Sequence, residues 1–219
     1  MKKFLITILI ISTLVSCEST GQKVNNGQEY SDKGNSSKKD KDSFLIKESV
    51  NQVDKPTNEY LTERLKPIRE NFKRINSIPM NDWSSVVTQY LEGTNEGGEV
   101  TYYHWNNELD KIVTKEYGET FQVLTEYYLM NRKLSFVYQK ALKYNRSIWK
   151  QKPEQEDKEV FDIAKSEIEE TRSYFENGKL INQIISEDCG SPFSEEYLQE
   201  QQKEIIYNFN RVLKQENKK

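Results

Sequence analysis

Histidine occurs once and cysteine twice in this chain of 219 residues. Those counts exclude a thiolate–imidazole pair of matched spacing, a His/Cys zinc set and any convincing Ser-His-Asp arrangement. Glycine is also scarce, with nine residues, none of them in a Walker or dinucleotide pattern. The densest glycine stretch, EGTNEGGE at Glu92–Glu99, is acidic and leads into a strand-like segment, the reverse of a phosphate cradle. Basic residues show no excess: 32 Lys and Arg stand against 35 Asp and Glu, for a net charge of −3. Nucleic-acid recognition needs clustered positive charge, so nucleic acid is not an expected partner. No apolar run reaches the roughly 20 residues of a transmembrane helix. Carboxylates that could pair, such as Glu126 and Glu170, are expected to be solvated charge in a chain that is 31% charged. EQEDKE at 154–159 lacks the oxygen spacing of a calcium loop. The expectation is a protein without metal or cofactor, and not an enzyme.

The longest apolar stretch is LITILIISTLVSC, from Leu5 to Cys17, behind Met1-Lys2-Lys3. Two lysines and about a dozen apolar residues have the layout of a secretory signal. The stretch ends in Leu14-Val15-Ser16-Cys17, which resembles the lipobox of bacterial lipoproteins. That resemblance implies cleavage after Ser16 (a signal peptide over 1–16) and acylation of Cys17, which becomes the first mature residue. Two or more acyl chains hold a protein stably on a membrane that it does not span. Cleavage would remove two lysines and no acid, taking the net charge to −5. Anionic lipid heads then offer no attraction, and the acyl chains must do the anchoring. Lipidation of Cys17 would leave Cys189, in SEDCGSPF, without an intramolecular partner, and a tolerated or buried thiol is the expectation there.

Residues 17–57 read as a disordered tether. Between Glu18 and Asp42 only Val24 and Tyr30 are apolar, too few to offset the entropy of ordering. A flexible chain of about 40 residues spans about 35 Å, enough to stand a domain off a bilayer. Residues 58–219 then form one domain. Leu61, Leu65, Ile68, Phe72 and Ile75 make a helical stripe in which Pro67 should kink the helix or start a new one. Trp83, Val86, Val87, Tyr90 and Leu91, between Asn81-Asp82 and Gly93, predict a second helix. A last helix is expected from Ser194 to about Leu213.

The central segment carries a three-copy repeat. YHWNNEL, YLMNRKL and YFENGKL all read Tyr-x-x-Asn-x-x-Leu, beginning at Tyr103, Tyr128 and Tyr174. Asn-Gly is the strongest two-residue hairpin signal, and Asn-Asn and Asn-Arg are weaker forms of it. Three hairpins predict a six-stranded antiparallel sheet in an α+β domain, with two N-terminal helices, one C-terminal helix and a long loop near 145–158. Strict alternation from the turns pairs Leu129 with Leu134 and Tyr127 with Phe136, and sets Tyr138 on the same face. It places Tyr174, Arg172, Glu170 and Gln183 opposite Phe175 and Leu180, and sets His104 beside Leu109. The helices should cover the Leu face, which makes His104 a packed histidine and leaves Tyr103, Tyr128 and Tyr174 exposed with Glu126 and Arg172. Tyrosines among charges can grip a glycan or a peptide, so these five are the candidate binding residues. Against that, tyrosine is a strong strand former and supports cross-strand pairs.

The repeat is similar to the hairpin repeats of the MORN and YwqK-antitoxin families, which share the Tyr, the Asn-Gly-like turn and the Leu, but it lacks their regular glycine spacing. EGGEVTYYHWNNELDKI and SEIEETRSYFENGKLINQI look more like small Bacteroidota proteins of unassigned function, a resemblance that implies a fold and no mechanism. The functional expectation is a lipid-tethered binding or accessory domain of a bacterial envelope, taking a protein or glycan, on the periplasmic side of the outer membrane if the host has two membranes. An immunity or inhibitor lipoprotein acting against a toxin is the second expectation, and an envelope hydrolase the third.

Overall fold

A computed structural model describes residues 59–153, 158–186 and 193–218. The signal-like stretch, Cys17, the tether over 17–57 and Cys189 lie outside the described residues. Helix α1 (Glu59–Asn76) is followed by strands β1 (Ser85–Tyr90), β2 (Gly98–Trp105), β3 (Glu108–Tyr117), β4 (Phe121–Met130) and β5 (Lys133–Lys143), then β6 (Glu167–Glu176), β7 (Lys179–Ile185) and helix α2 (Glu195–Glu216). The strands form one antiparallel meander in chain order. Because α1 packs on one face and α2 on the other, the sheet is the middle of three layers.

The architecture is α+β, as expected, but seven strands replace six and one N-terminal helix replaces two. Residues 83–91 do not form a helix. Met80–Asp82 is a single 3-10 turn, and Ser85–Tyr90 is an edge strand whose partner is β2. Short apolar runs fit both periods, and here the paired β-branched Val86 and Val87 favour the strand. Pro67 does not divide α1, which buries Leu65, Ile68, Asn71 and Ile75 in a continuous stripe. The expected loop lies between Lys143 and Glu167, with a short 3-10 turn at Ile163–Lys165. Helix α2 starts where its cap predicts: the Ser194 side chain accepts from the Tyr197 N–H.

All three repeat asparagines sit in two-residue turns with positive φ at both positions: 51° and 63° at Asn106-Asn107, 53° and 62° at Asn131-Arg132, and 52° and 80° at Asn177-Gly178. This is the type I′ hairpin geometry. The register beyond each turn departs from strict alternation. His104 pairs with Leu109, but Tyr103 pairs with Lys111; Leu129 pairs with Leu134, but Tyr128 with Phe136; Phe175 pairs with Leu180, but Tyr174 with Asn182. Each hairpin therefore carries a bulge of one residue directly after the repeat Leu, at Asp110, Ser135 and Ile181.

The bulges reassign faces. Tyr127 pairs with Val137 rather than Phe136, so Val137 joins the α2 side while Phe136 and Tyr138 join the α1 side. Gln183 pairs with Ser173, which moves it from the expected tyrosine face to the α2 side. The bulges also seat α1. Arg74 bonds Asp110 at 2.8 Å, and the buried Asn71 amide donates to the Leu129 carbonyl at 2.8 Å and reaches Ser135 Oγ at 3.4 Å. Ile181 packs into the α1-side cluster. A bulge interrupts the backbone ladder, and Asn71 supplies a donor at that interruption.

Candidate functional site

Helix α1 covers the face that strict alternation leaves open. Tyr128 and Tyr174 are each 1% exposed, and Leu65, Ile68, Ile75, Phe136 and Tyr138 bury them. Glu126 and Arg172 are buried as well, and Tyr103 is half-buried against Trp83. The sequence places these five residues on one face correctly, but the expectation that they form an open platform is overturned. Apolar spacing shows that α1 has a face to bury without showing against which side of the sheet.

Two charge clusters lie on this side. Lys111 Nζ stands 3.2 Å from Glu126 Oε1 and 3.4 Å from Asn76 Oδ1, and it lies over the Tyr128 ring, 5.0 Å from its centroid. The Tyr128 hydroxyl donates to Glu126 Oε2 in a short bond and lies 3.2 Å from Asn76 Oδ1. In the second cluster Glu170 bonds Arg172 at 3.2 Å and approaches Lys140 at 3.5 Å, while the Arg172 guanidinium lies over the Tyr138 ring. Burial alone would raise the Glu170 carboxyl, but the neighbouring Tyr138 hydroxyl and the charges of Lys140 and Arg172 outweigh it and hold the carboxyl below its ordinary range. Glu126 and Glu170 are thus separately neutralised, and their charges are committed within the fold.

The α2 side differs. Near the turns it is an apolar core of Leu129, Leu134, Val137, Phe175 and Leu180 against Phe209 and Val212. Away from the turns that core gives way to hydroxyls and amides. A cleft of about 140 Å³ opens there between α2 and strands β4–β7. Its floor follows the cross-strand ladder, with Thr125, Gln139 and Thr171 adjacent in one row and Val137, Ser173 and Gln183 in the next. Helix α2 supplies the opposite wall with Tyr197, Gln201, Ile205 and Asn208. The back is closed: Thr125, Ser173 and Gln183 are 5%, 2% and 5% exposed. Glu169 and Glu204 stand on the exposed rim, and Gln139 is the part of the floor that opens to solvent.

Hydrogen bonding in the cleft is incomplete. Gln183 Nε2 donates to Ser173 Oγ at 3.0 Å, and Gln139 Nε2 reaches Thr125 Oγ1 at 3.4 Å. Gln183 Oε1 is buried and has no partner among the described residues. Buried polar atoms are nearly always bonded, so an unpartnered acceptor at the back of an open cleft is placed to accept from a ligand's donor. Tyr127 also lines the cleft. Burial first, and then the nearby Glu116, push its hydroxyl well above the ordinary tyrosine range despite Arg211, so it stays neutral.

Sequence reasoning missed this cleft because a one-residue bulge moved Gln183 onto its floor. The signal that could have found it is the polar pair Thr171 and Ser173 on alternate positions of β6, with Gln183 on the next strand. His104 faces α2 as expected, with Nε2 2.8 Å from Glu216 Oε1. Among the described residues no three His, Cys, Asp or Glu side chains come together as a metal site, and no helix is long and apolar enough to cross a membrane. No protein-family model, curated protein or solved structure matches this chain.

Proposed function

We propose that the protein is a lipid-anchored, non-enzymatic binding domain of a bacterial envelope, held by acyl chains on Cys17. In a host with two membranes its place is the periplasmic leaflet of the outer membrane. The Leu14-Val15-Ser16-Cys17 motif behind an apolar run supports the anchor. The observation that carries the binding role is the α2-side cleft, with a buried unpartnered acceptor at its back and a rigid sheet as its floor. Binding sites are concave, largely pre-formed and fitted with a few fixed polar groups, and this cleft has those properties. The five residues nominated from the sequence support the domain rather than the site, since Tyr128, Tyr174, Glu126 and Arg172 are buried and Tyr103 packs against Trp83. An inhibitor of a basic toxin would call for unpaired acidic surface on the tyrosine face, where Glu126, Glu170 and Glu99 each face a cation instead.

The anchor is tested by Cys17→Ala in the producing cell. The variant should leave the membrane fraction or accumulate unprocessed. A variant that matures to an unchanged mass and still partitions into detergent would overturn the anchor.

A further inference from the structure

Resting on the reading of this domain as a binder, we infer that the α2-side cleft takes an uncharged, hydroxyl-rich ligand, a single sugar ring or the end of a neutral glycan. Five observations lead there. The groups on the floor are neutral dipoles: the hydroxyls of Thr125, Thr171 and Ser173 and the amides of Gln139 and Gln183. Each of these groups both donates and accepts, the complement of a ligand whose hydroxyls do the same. The buried Gln183 Oε1 requires an O–H or N–H donor from whatever enters, because no described residue provides one.

Charge narrows the class further. Among the described residues no Lys, Arg or His lines the cleft, and its carboxylates, Glu169 and Glu204, stand at the rim. An anion would meet no countercharge and two like charges. A cation would find those carboxylates only at the mouth and would lose its hydration among neutral groups inside. The apolar parts of the wall are Val137, Ile185, Ile205 and the half-buried Tyr197 ring, which suit the C–H face of a sugar. Size sets the last limit. At about 140 Å³ the cleft is well below the roughly 300–1,000 Å³ of sites for drug-sized ligands, so it holds one ring rather than a chain.

The test uses the full-length protein purified in a zwitterionic detergent that contains no sugar. N,N′-diacetylchitobiose and maltose are the neutral probes, with acetate, spermidine and trialanine as charged and peptide controls. Calorimetry and ligand-observed NMR should detect at least one of the two saccharides and none of the controls. Gln183→Leu removes the unpartnered acceptor, along with the Nε2 bond to Ser173 Oγ, and should weaken binding about fivefold to tenfold, the worth of one hydrogen bond. Gln201→Trp, on the half-exposed flank of α2, fills the cleft without touching the core and should abolish binding with the circular dichroism spectrum unchanged. It keeps the test informative if Gln183→Leu folds poorly. Arg64→Ala, on the opposite side of the sheet, should bind as the unaltered protein does. Binding that survives Gln201→Trp, binding of a control alone, or no response to either saccharide would overturn the inference. Release of monosaccharide from a bound probe would keep the ligand class and overturn the non-enzymatic reading. A soluble Cys17→Ala protein that still binds sugar would confirm the cleft and the anchor separately.

Discussion

The two faces of the sheet dispose of their polar groups in opposite ways. Under α1, charged groups are buried in pairs and clusters: Lys111 with Glu126, and Glu170 with Arg172 and Lys140. Under α2, the buried polar groups are hydroxyls and amides. Among the described residues Gln183 Oε1 is left without a partner at the back of an open cleft, whereas the Tyr174 hydroxyl, also without a partner, is sealed beneath α1. The difference follows from desolvation. An unpaired buried charge costs many times what an unpaired buried amide does, so charges beneath a helix must be satisfied within the fold. Neutral dipoles can keep spare capacity at a cost of about 1–3 kcal/mol. The strongly charged, aromatic face that a sequence reader notices first is therefore the committed one. The bland face retains capacity to bind.

The comparison breaks most readily at the buried ion pair. Lys111→Met should destabilise the domain by about 3–5 kcal/mol in denaturant unfolding, because it leaves Glu126 buried without its cation. A loss under 1 kcal/mol would show that the charges beneath α1 are hydrated and the contrast is false. On the other face Leu180→Ala should cost about 2–5 kcal/mol from lost burial and a cavity. Tyr174→Ala under α1 should cost a comparable amount, since both faces are closed. A negligible loss at Tyr174 would reopen the tyrosine platform.

The two faces should also fail at opposite ends of the pH scale. Glu170 has a lowered folded pKa, so its contribution is present above the unfolded glutamate value near 4.3 and is lost as pH falls through the folded one. Tyr102, facing α2, donates to the Val212 carbonyl at 2.8 Å. Burial first, then Glu216 and Glu92, push its hydroxyl up to about 12. A raised pKa contributes stability below the unfolded value near 10, and that stability is lost as pH rises from 10 toward about 12. Tyr138→Phe should therefore raise the acid midpoint and leave the alkaline one unchanged, while Tyr102→Phe should move only the alkaline one. Circular dichroism along both titrations reads this directly, and a shift at both ends by either variant would remove the distinction. The smallest effect belongs to Gln183→Leu, which should cost about 1 kcal/mol, since it removes one buried hydrogen bond, from Nε2 to Ser173 Oγ, together with an acceptor that had no partner. A loss as large as that of Lys111→Met would mean Gln183 is structural.

The sequence by itself determined the three hairpin turns and the start of the last helix, because these depend on neighbours a few residues apart. Asn106, Asn131 and Asn177 announce positive-φ turns, Ser194 caps its own helix, and Leu61 to Ile75 spell one apolar stripe. It also determined which polar residues could share a face near each turn: Tyr128 with Glu126, and Tyr174 with Arg172. Residues 83–91 lay at the limit of that legibility, since their apolar spacing suits both a helix and the edge strand they form beside β2. Only the tertiary structure decided the rest. Whether Asp110, Ser135 and Ile181 bulge depends on α1 arriving from 35 or more residues away in sequence to bond or pack against them. Each bulge then flips every later side chain on its strand, which is how Phe136 and Tyr138 went beneath α1 and Gln183 became the back of a cleft. Period-two alternation is a local rule, and a single inserted residue supported by a distant helix is enough to reverse it.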